Sequence, residues 1–161
     1  MAGTVKVTRN GYNKLVLRKK EFFDQLKKVQ GKKGEAAEVG GNVWHDNFAF
    51  EELGRQEMML NKKIADVSLQ INSAEIVQHP VNDQLLQIGH IAVFEFDDGE
   101  ERKYEIAGFG ESDLSINPPK VEYLAPIVKK FIGTEINTSV KVEIGGKIRG
   151  ITLIEILRKE A

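Results

Sequence analysis

The sequence predicts an α+β chain: an N-terminal antiparallel helical hairpin followed by an antiparallel β domain that carries one short helix. Three observations lead there. Residues 9–37 and about 47–71 are two proline-free stretches with apolar residues recurring at threes, fours and sevens. A Gly40-Gly41 pair separates them. From residue 88 onward the pattern changes to alternation punctuated by turn pairs. The predicted division is a hairpin domain over 1–75 and a β domain over 76–161.

In the first stretch Leu15, Phe22, Leu26, Val29 and Ala36 fall on one stripe, and in the second Leu53, Leu60, Ile64, Val67 and Ile71 do the same. An apolar stripe at helical spacing is the seam of an amphipathic helix. Two such helices joined by a short loop pack antiparallel as a coiled-coil hairpin. A helix over 9–37 would be roughly 43 Å long at 1.5 Å per residue. After the glycines, Asp46 and Asn47 suit an N-cap, and Glu51 and Glu52 stand in the first turn, where the helix dipole favours negative charge.

A short strand is expected over Ala74–Gln78, ended by His79-Pro80. Ile91, Val93, Glu95 and Asp97 alternate with Ala92, Phe94 and Phe96; Asp98-Gly99 is a hairpin turn signal, and Glu101–Ala107 returns as the partner strand. Pro126–Phe131 reads as a short helix with proline in its first turn and Gly133 beyond its end. Ser139–Ile144 and Lys147–Leu157 form a second hairpin about Gly145-Gly146.

Composition narrows the chemistry. With 161 residues and 41% hydrophobic content the chain can build one or two small cores. It has no cysteine, which excludes disulfides and thiolate metal sites. No stretch suits a signal peptide or a membrane span, so a cytoplasmic location is expected. The net charge of −1 conceals an uneven distribution: residues 1–33 carry ten Lys/Arg against Glu21 and Asp24, whereas residues 34–60 carry six acidic residues against Arg55. Such asymmetry suits a nucleic acid or acidic partner for the first helix. Lys19, Lys20, Lys27, Lys28, Lys32 and Lys33 are the candidate contacts to such a partner, with ordinary solvated charge as the alternative for those on the far side of the helix.

Thr8-Arg9-Asn10-Gly11-Tyr12-Asn13-Lys14-Leu15 is similar to the T-x-x-G-Y-x-K-L opening of the Gre transcript cleavage factors of bacteria and their non-cleaving relatives, and the order and spacing of further short motifs over some 150 residues resemble that family too. Glu38-Val39-Gly40-Gly41 resembles its E-L-G-D approach to the hairpin tip, and Asn47-Phe48-Ala49-Phe50 stands where the family has N-A-E-Y. Asp98-Gly99-Glu100-Glu101 through Tyr104 resembles D-x-G-E-E-x-x-Y, Glu111-Ser112-Asp113 resembles E-A-D, and Pro126 through Gly133 resembles the S-P-I-x-x-x-L-x-G helix. The resemblance implies an FKBP-like C-terminal domain that docks on RNA polymerase and a hairpin that enters the polymerase's secondary channel, reaching the nascent RNA 3′ end, with the six lysines of the first helix as candidate RNA or channel contacts. It implies no cofactor of the chain's own, and a Mg²⁺ shared with the polymerase active site if cleavage occurs. A monomer is the expected state, and no membrane partner is expected.

The tip departs from the family's G-D-L-S-E-N pattern. Here the stretch is Asn42-Val43-Trp44-His45-Asp46-Asn47, with one carboxylate where the family has two. Asp46 is the candidate catalytic and metal-binding residue, with a plain N-cap as its alternative. His45 is a candidate water activator or else an exposed loop residue. Trp44 would stack on RNA or wedge into the channel, or would fold back on Phe48 and Phe50; Asn42 and Asn47 complete the candidate tip contacts. In the docking domain Leu124-Ala125-Pro126 replaces the family's D-S-P, leaving Tyr123, Leu124 and Pro126 as the candidate docking residues, with core packing as the alternative for the first two. These departures make a non-cleaving channel regulator or inhibitor the alternative to a cleavage factor. A prolyl isomerase and a free-standing nuclease using His45, Asp46 and Glu51 are the readings from other classes.

Overall fold

The computed structural model describes residues 4–39 and 48–159. In chain order the elements are β1 (Val5–Val7), α1 (Arg9–Val39), α2 (Phe48–Ser73), β2 (Ala74–Ile76), β3 (His90–Phe96), β4 (Glu101–Ala107), β5 (Lys120–Glu122), α3 (Pro126–Lys129), β6 (Ser139–Ile144) and β7 (Lys147–Arg158). They fall into two compact units. One holds Tyr12–Ala74; the other holds Val5–Gly11 together with the chain from Glu75 onward.

The first unit is the helical hairpin. α1 runs for 31 residues and α2 for 26, so α1 is about 46 Å long at 1.5 Å per residue. Leu26, Val29 and Leu60 are buried together, with Phe22, Leu53 and Ile64 packed against them. The cross-contacts descend on one helix as they ascend on the other. Lys63 lies 5.8 Å from the Phe22 ring centre, and further along Lys33 reaches Glu57 at 3.4 Å. That order makes the pair antiparallel. The seam is narrow, and most other positions on both helices are exposed.

The second unit is built on a five-stranded sheet of order β5-β4-β3-β7-β6. All its pairings are antiparallel except β4 with β5. Ala92, Phe94 and Phe96 of β3 point to the core face, where Ile106, Val142, Ile151, Leu153 and Ile156 join them. Leu86, Val128 and Phe131 cover that face, and the Phe131 ring sits 4.9 Å from Phe94, tilted by 48°. Between Val93 and Phe94 the register against β7 shifts by one residue, so Leu153 and Ile156 both reach the core although they are three apart. The β3–β4 turn places Gly99 at φ +86°, and Phe96 N–H donates to Glu100 O at 2.8 Å. This is a three-residue hairpin loop with glycine in its left-handed position. Gly145 and Gly146 both have positive φ in the two-residue β6–β7 turn.

The structure adds two features to the sequence expectation. The strand that follows α2 ends at Ile76 and pairs with β1 in a separate two-stranded sheet, extended by Val77 N–H donating to Val7 O at 2.8 Å. The short helix after Pro126 stops at Lys129, and Thr134 and Gly133 close the turn by bonding back to Phe131 and Leu86.

Candidate functional site

The six lysines of α1 do not form one surface, and helix geometry explains why. Lys19, Leu26 and Lys33 are spaced by sevens, which places both lysines along the seam, half-buried. Lys33 is committed there: its Nζ lies 3.4 Å from Glu57 Oε1 and 5.1 Å from the Phe50 ring centre. Lys20 and Lys27 are exposed on a different stripe, with the half-exposed Phe23 between them. Lys28 and Lys32 join Gln25 and Val29 on one side of an open recess of about 340 Å³. Gln56, Met59, Leu60 and Lys63 of α2 form its other side. Three lysines therefore border a recess that the buried Val29 and Leu60 also line. Lys63 is a member of this cluster that the α1-centred reading missed; its three-residue step from Leu60 on the second stripe was the available signal. Among the described residues, Lys28 and Lys32 have no carboxylate within ion-pair distance.

Asn42, Trp44, His45, Asp46 and Asn47 lie outside the described residues. At the start of α2, Phe48 is 70% exposed and Phe50 37%. Glu52 accepts two hydrogen bonds from Arg55, at 3.0 and 2.8 Å. Those bonds, with help from Gln56, hold its carboxyl below the usual carboxylate range. Glu52 is thus occupied by its own helix. Among the described residues, no three His, Asp or Glu side chains cluster as metal ligands, and no helix is long and apolar enough to cross a membrane.

In the second unit the three candidate docking residues separate. Tyr123 is buried in the core, and its hydroxyl accepts a hydrogen bond from Lys6 N–H at 3.0 Å. It is therefore a packing residue that ties β1 down, not an exposed anchor. Leu124 is 43% exposed and Pro126 is exposed, so those two remain at the surface. A groove of about 590 Å³ lies nearby, lined among others by Val81, Leu85, Ile88, Tyr123 and Ile132. Its aromatic lining is Tyr123, already engaged through its hydroxyl. A proline-binding pocket built from aromatic walls has no counterpart in that groove.

The start of α1 is the most tightly determined polar site. Thr8 precedes the first helical residue and its Oγ1 accepts from Gly11 N–H at 3.1 Å, as an N-cap should. Thr8 N–H donates to Glu111 Oε2 at 3.1 Å, and the Thr8 hydroxyl donates to Glu111 Oε1. A Cβ on Gly11 would lie 2.6 Å from Glu111 Cδ, and one on Gly108 would lie 2.2 Å from Glu111 Oε2. All four residues belong to the second unit.

No family model matches the chain. It is 25% identical over 160 residues to the transcription elongation factor GreA of Thermotoga sp. (strain RQ2), a match spanning 96% of this chain and 98% of that one. The chain is thus similar over nearly its whole length to a Gre factor. It is also 26% identical over 145 residues to the transcription elongation factor GreB of Pasteurella multocida (strain Pm70), covering 89% of each chain. With GreA of Caldanaerobacter subterraneus subsp. tengcongensis it shares 24% identity over 161 residues, 98% of this chain and 100% of the other. Solved structures similar to this chain include Gfh1 of Thermus thermophilus, at 16% identity and TM-score 0.43 over 95% of this chain and 98% of that one. A GreA/GreB factor from Nitrosomonas europaea has 18% identity and TM-score 0.41, over 65% of this chain and 92% of that one. The residues that carry the Gre resemblance at either end of this site, Thr8, Gly11 and Glu111, are the ones in mutual contact.

Proposed function

We propose that this protein is a transcription elongation factor that binds bacterial RNA polymerase and puts its helical hairpin into the secondary channel. The observation that carries this reading is a two-helix hairpin with one narrow seam, in a chain similar over nearly its whole length to elongation factors. Such an element has little interior of its own and is suited to reach. Lys28, Lys32 and Lys63 supply a cationic recess for the phosphates of the RNA near its 3′ end. Leu124 and Pro126 are the surface residues offered to the polymerase by the second unit. One hairpin for one channel makes the working species a monomer in the cytoplasm.

The same reading favours a regulator that occupies the channel over a cleavage factor. Between Asn42 and Asn47 the chain offers a single carboxylate, Asp46, and Glu52 is tied to Arg55. Mg²⁺ takes several oxygen ligands in near-octahedral geometry. This donor set does not fit a resident Mg²⁺. Stimulation of the polymerase's own RNA cleavage is the second reading, favoured by the retention of Asp46 where the Gre tip carries its second acid.

The test uses a purified bacterial polymerase stalled on a backtracked RNA, with the RNA 3′ end and factor binding followed together, for the native chain and Asp46→Ala. Binding without RNA shortening is the expected result. Shortening that disappears in Asp46→Ala while binding persists would select the cleavage reading. Absence of binding to a competent polymerase would overturn both.

A further inference from the structure

In a capping box, the N-cap Thr or Ser bonds the N–H of the third helical residue, and a Glu or Gln at that third position reaches back to the N-cap N–H. The first half is present here, from Thr8 to Gly11. The second half cannot come from the helix, because its third residue is Gly11. It comes from Glu111, 103 residues later, whose carboxylate takes the Thr8 N–H and the Thr8 hydroxyl. The absent side chain at Gly11 is what admits it, since a Cβ would sit 2.6 Å from Glu111 Cδ. The loop that carries Glu111 is bonded to β1 by Phe109 N–H donating to Lys6 O at 2.8 Å, and is closed on itself by Glu111 N–H donating to Gly108 O at 3.2 Å.

We infer that Glu111 is the positioning residue of the first turn of α1, completing from a distant part of the chain the capping box that the helix's own sequence leaves open. Its role is to hold the first helical turn, from Thr8 to Gly11, in one conformation against the 108–111 loop. This inference rests on the proposed function for its consequence: a hairpin whose first turn is unpinned would reach the polymerase and act less efficiently once there.

Glu111→Ala removes both acceptors, whereas Glu111→Gln keeps one carbonyl oxygen of the same reach. Amide exchange of Thr8 and Gly11, polymerase affinity, and the effect on backtracked complexes at saturating factor are measured for each. Glu111→Ala is expected to speed Thr8 exchange by about tenfold, the scale of a lost cap. It should lower the saturating effect while polymerase affinity stays within about twofold of native. Glu111→Gln should recover much of both. Unchanged Thr8 protection in Glu111→Ala would overturn the inference, as would an affinity loss with the saturating effect intact, which would make Glu111 a docking residue. If the native chain fails to bind polymerase, the functional proposal falls, and the exchange comparison still decides the cap.

Discussion

Replacing Gly11 by alanine, alone and together with Glu111→Ala, separates a steric requirement from a helix preference. A Cβ at Gly11 meets Glu111 Cδ at 2.6 Å and Oε2 at 2.7 Å, about 1 Å inside ordinary contact. The carboxylate ends a flexible side chain and can swing away, so the cost is the hydrogen bonds it abandons at Thr8. Losing a cap costs about 1–2 kcal/mol, and alanine over glycine in a helix returns up to about 1 kcal/mol. Gly11→Ala should therefore destabilise the native chain by about 1 kcal/mol. In Glu111→Ala the obstruction and its bonds are already gone, and the same substitution should stabilise by up to about 1 kcal/mol. The sign reverses, with a coupling of about 1–2 kcal/mol. Gly108→Ala is the control. Its Cβ also lies 3.0 Å from Val7 Cα and 3.1 Å from Lys6 O, and backbone cannot swing aside. Its penalty of about 1–3 kcal/mol should persist in Glu111→Ala. Urea unfolding of the variants, followed by far-UV circular dichroism, reads these differences. Equal effects of Gly11→Ala in both backgrounds would refute the steric argument.

Two further outcomes follow from packing and charge. Phe94 is fully buried beside Phe131 and Tyr104, so Phe94→Ala should cost about 3–5 kcal/mol; a loss below about 1 kcal/mol in urea unfolding would mean the core closes over the gap. The hydrogen bond from Arg149, with a further one from Gly150, holds Asp97 below the usual aspartate range. A carboxyl lowered on folding contributes stability above its unfolded range and loses it as pH falls through the folded value. Arg149→Met should raise the Asp97 midpoint in a carboxyl NMR titration and flatten the acid side of the stability curve. A midpoint that does not move would assign the shift to Gly150 alone.

The local parts of this fold were legible because they are periodic or punctuated. Leu26, Val29 and Leu60 stand on the stripes that predict the seam, and they are buried together. Asp98-Gly99 and Gly145-Gly146 mark turns whose positive φ values only such residues accept readily. What escaped was non-local. β5 is three residues long and pairs in parallel with β4, and no alternation over so short a segment announces it. Tyr123 reads equally as anchor or core until its hydroxyl is seen to accept from Lys6, 117 residues away. Glu111 was recognisable as part of a motif, but nothing in the chain's periodicity joins it to Thr8. The division of the six lysines, by contrast, follows from counting sevens against Leu26.

The membership of Val5–Gly11 in the second unit has a consequence for how the protein is made. These residues leave the ribosome ahead of their partners: the Glu111 carboxylate and the Tyr123 hydroxyl that receive them are synthesised 103 and 117 residues later. At about 5–20 residues per second that interval is roughly 5–25 s. Within it the hairpin segment is completed while its first turn still waits for a partner not yet translated. The nascent chain is thus bracketed: its opening residues stay uncommitted until the β domain emerges to claim them, and a chain truncated before Glu111 would carry a hairpin with an open cap.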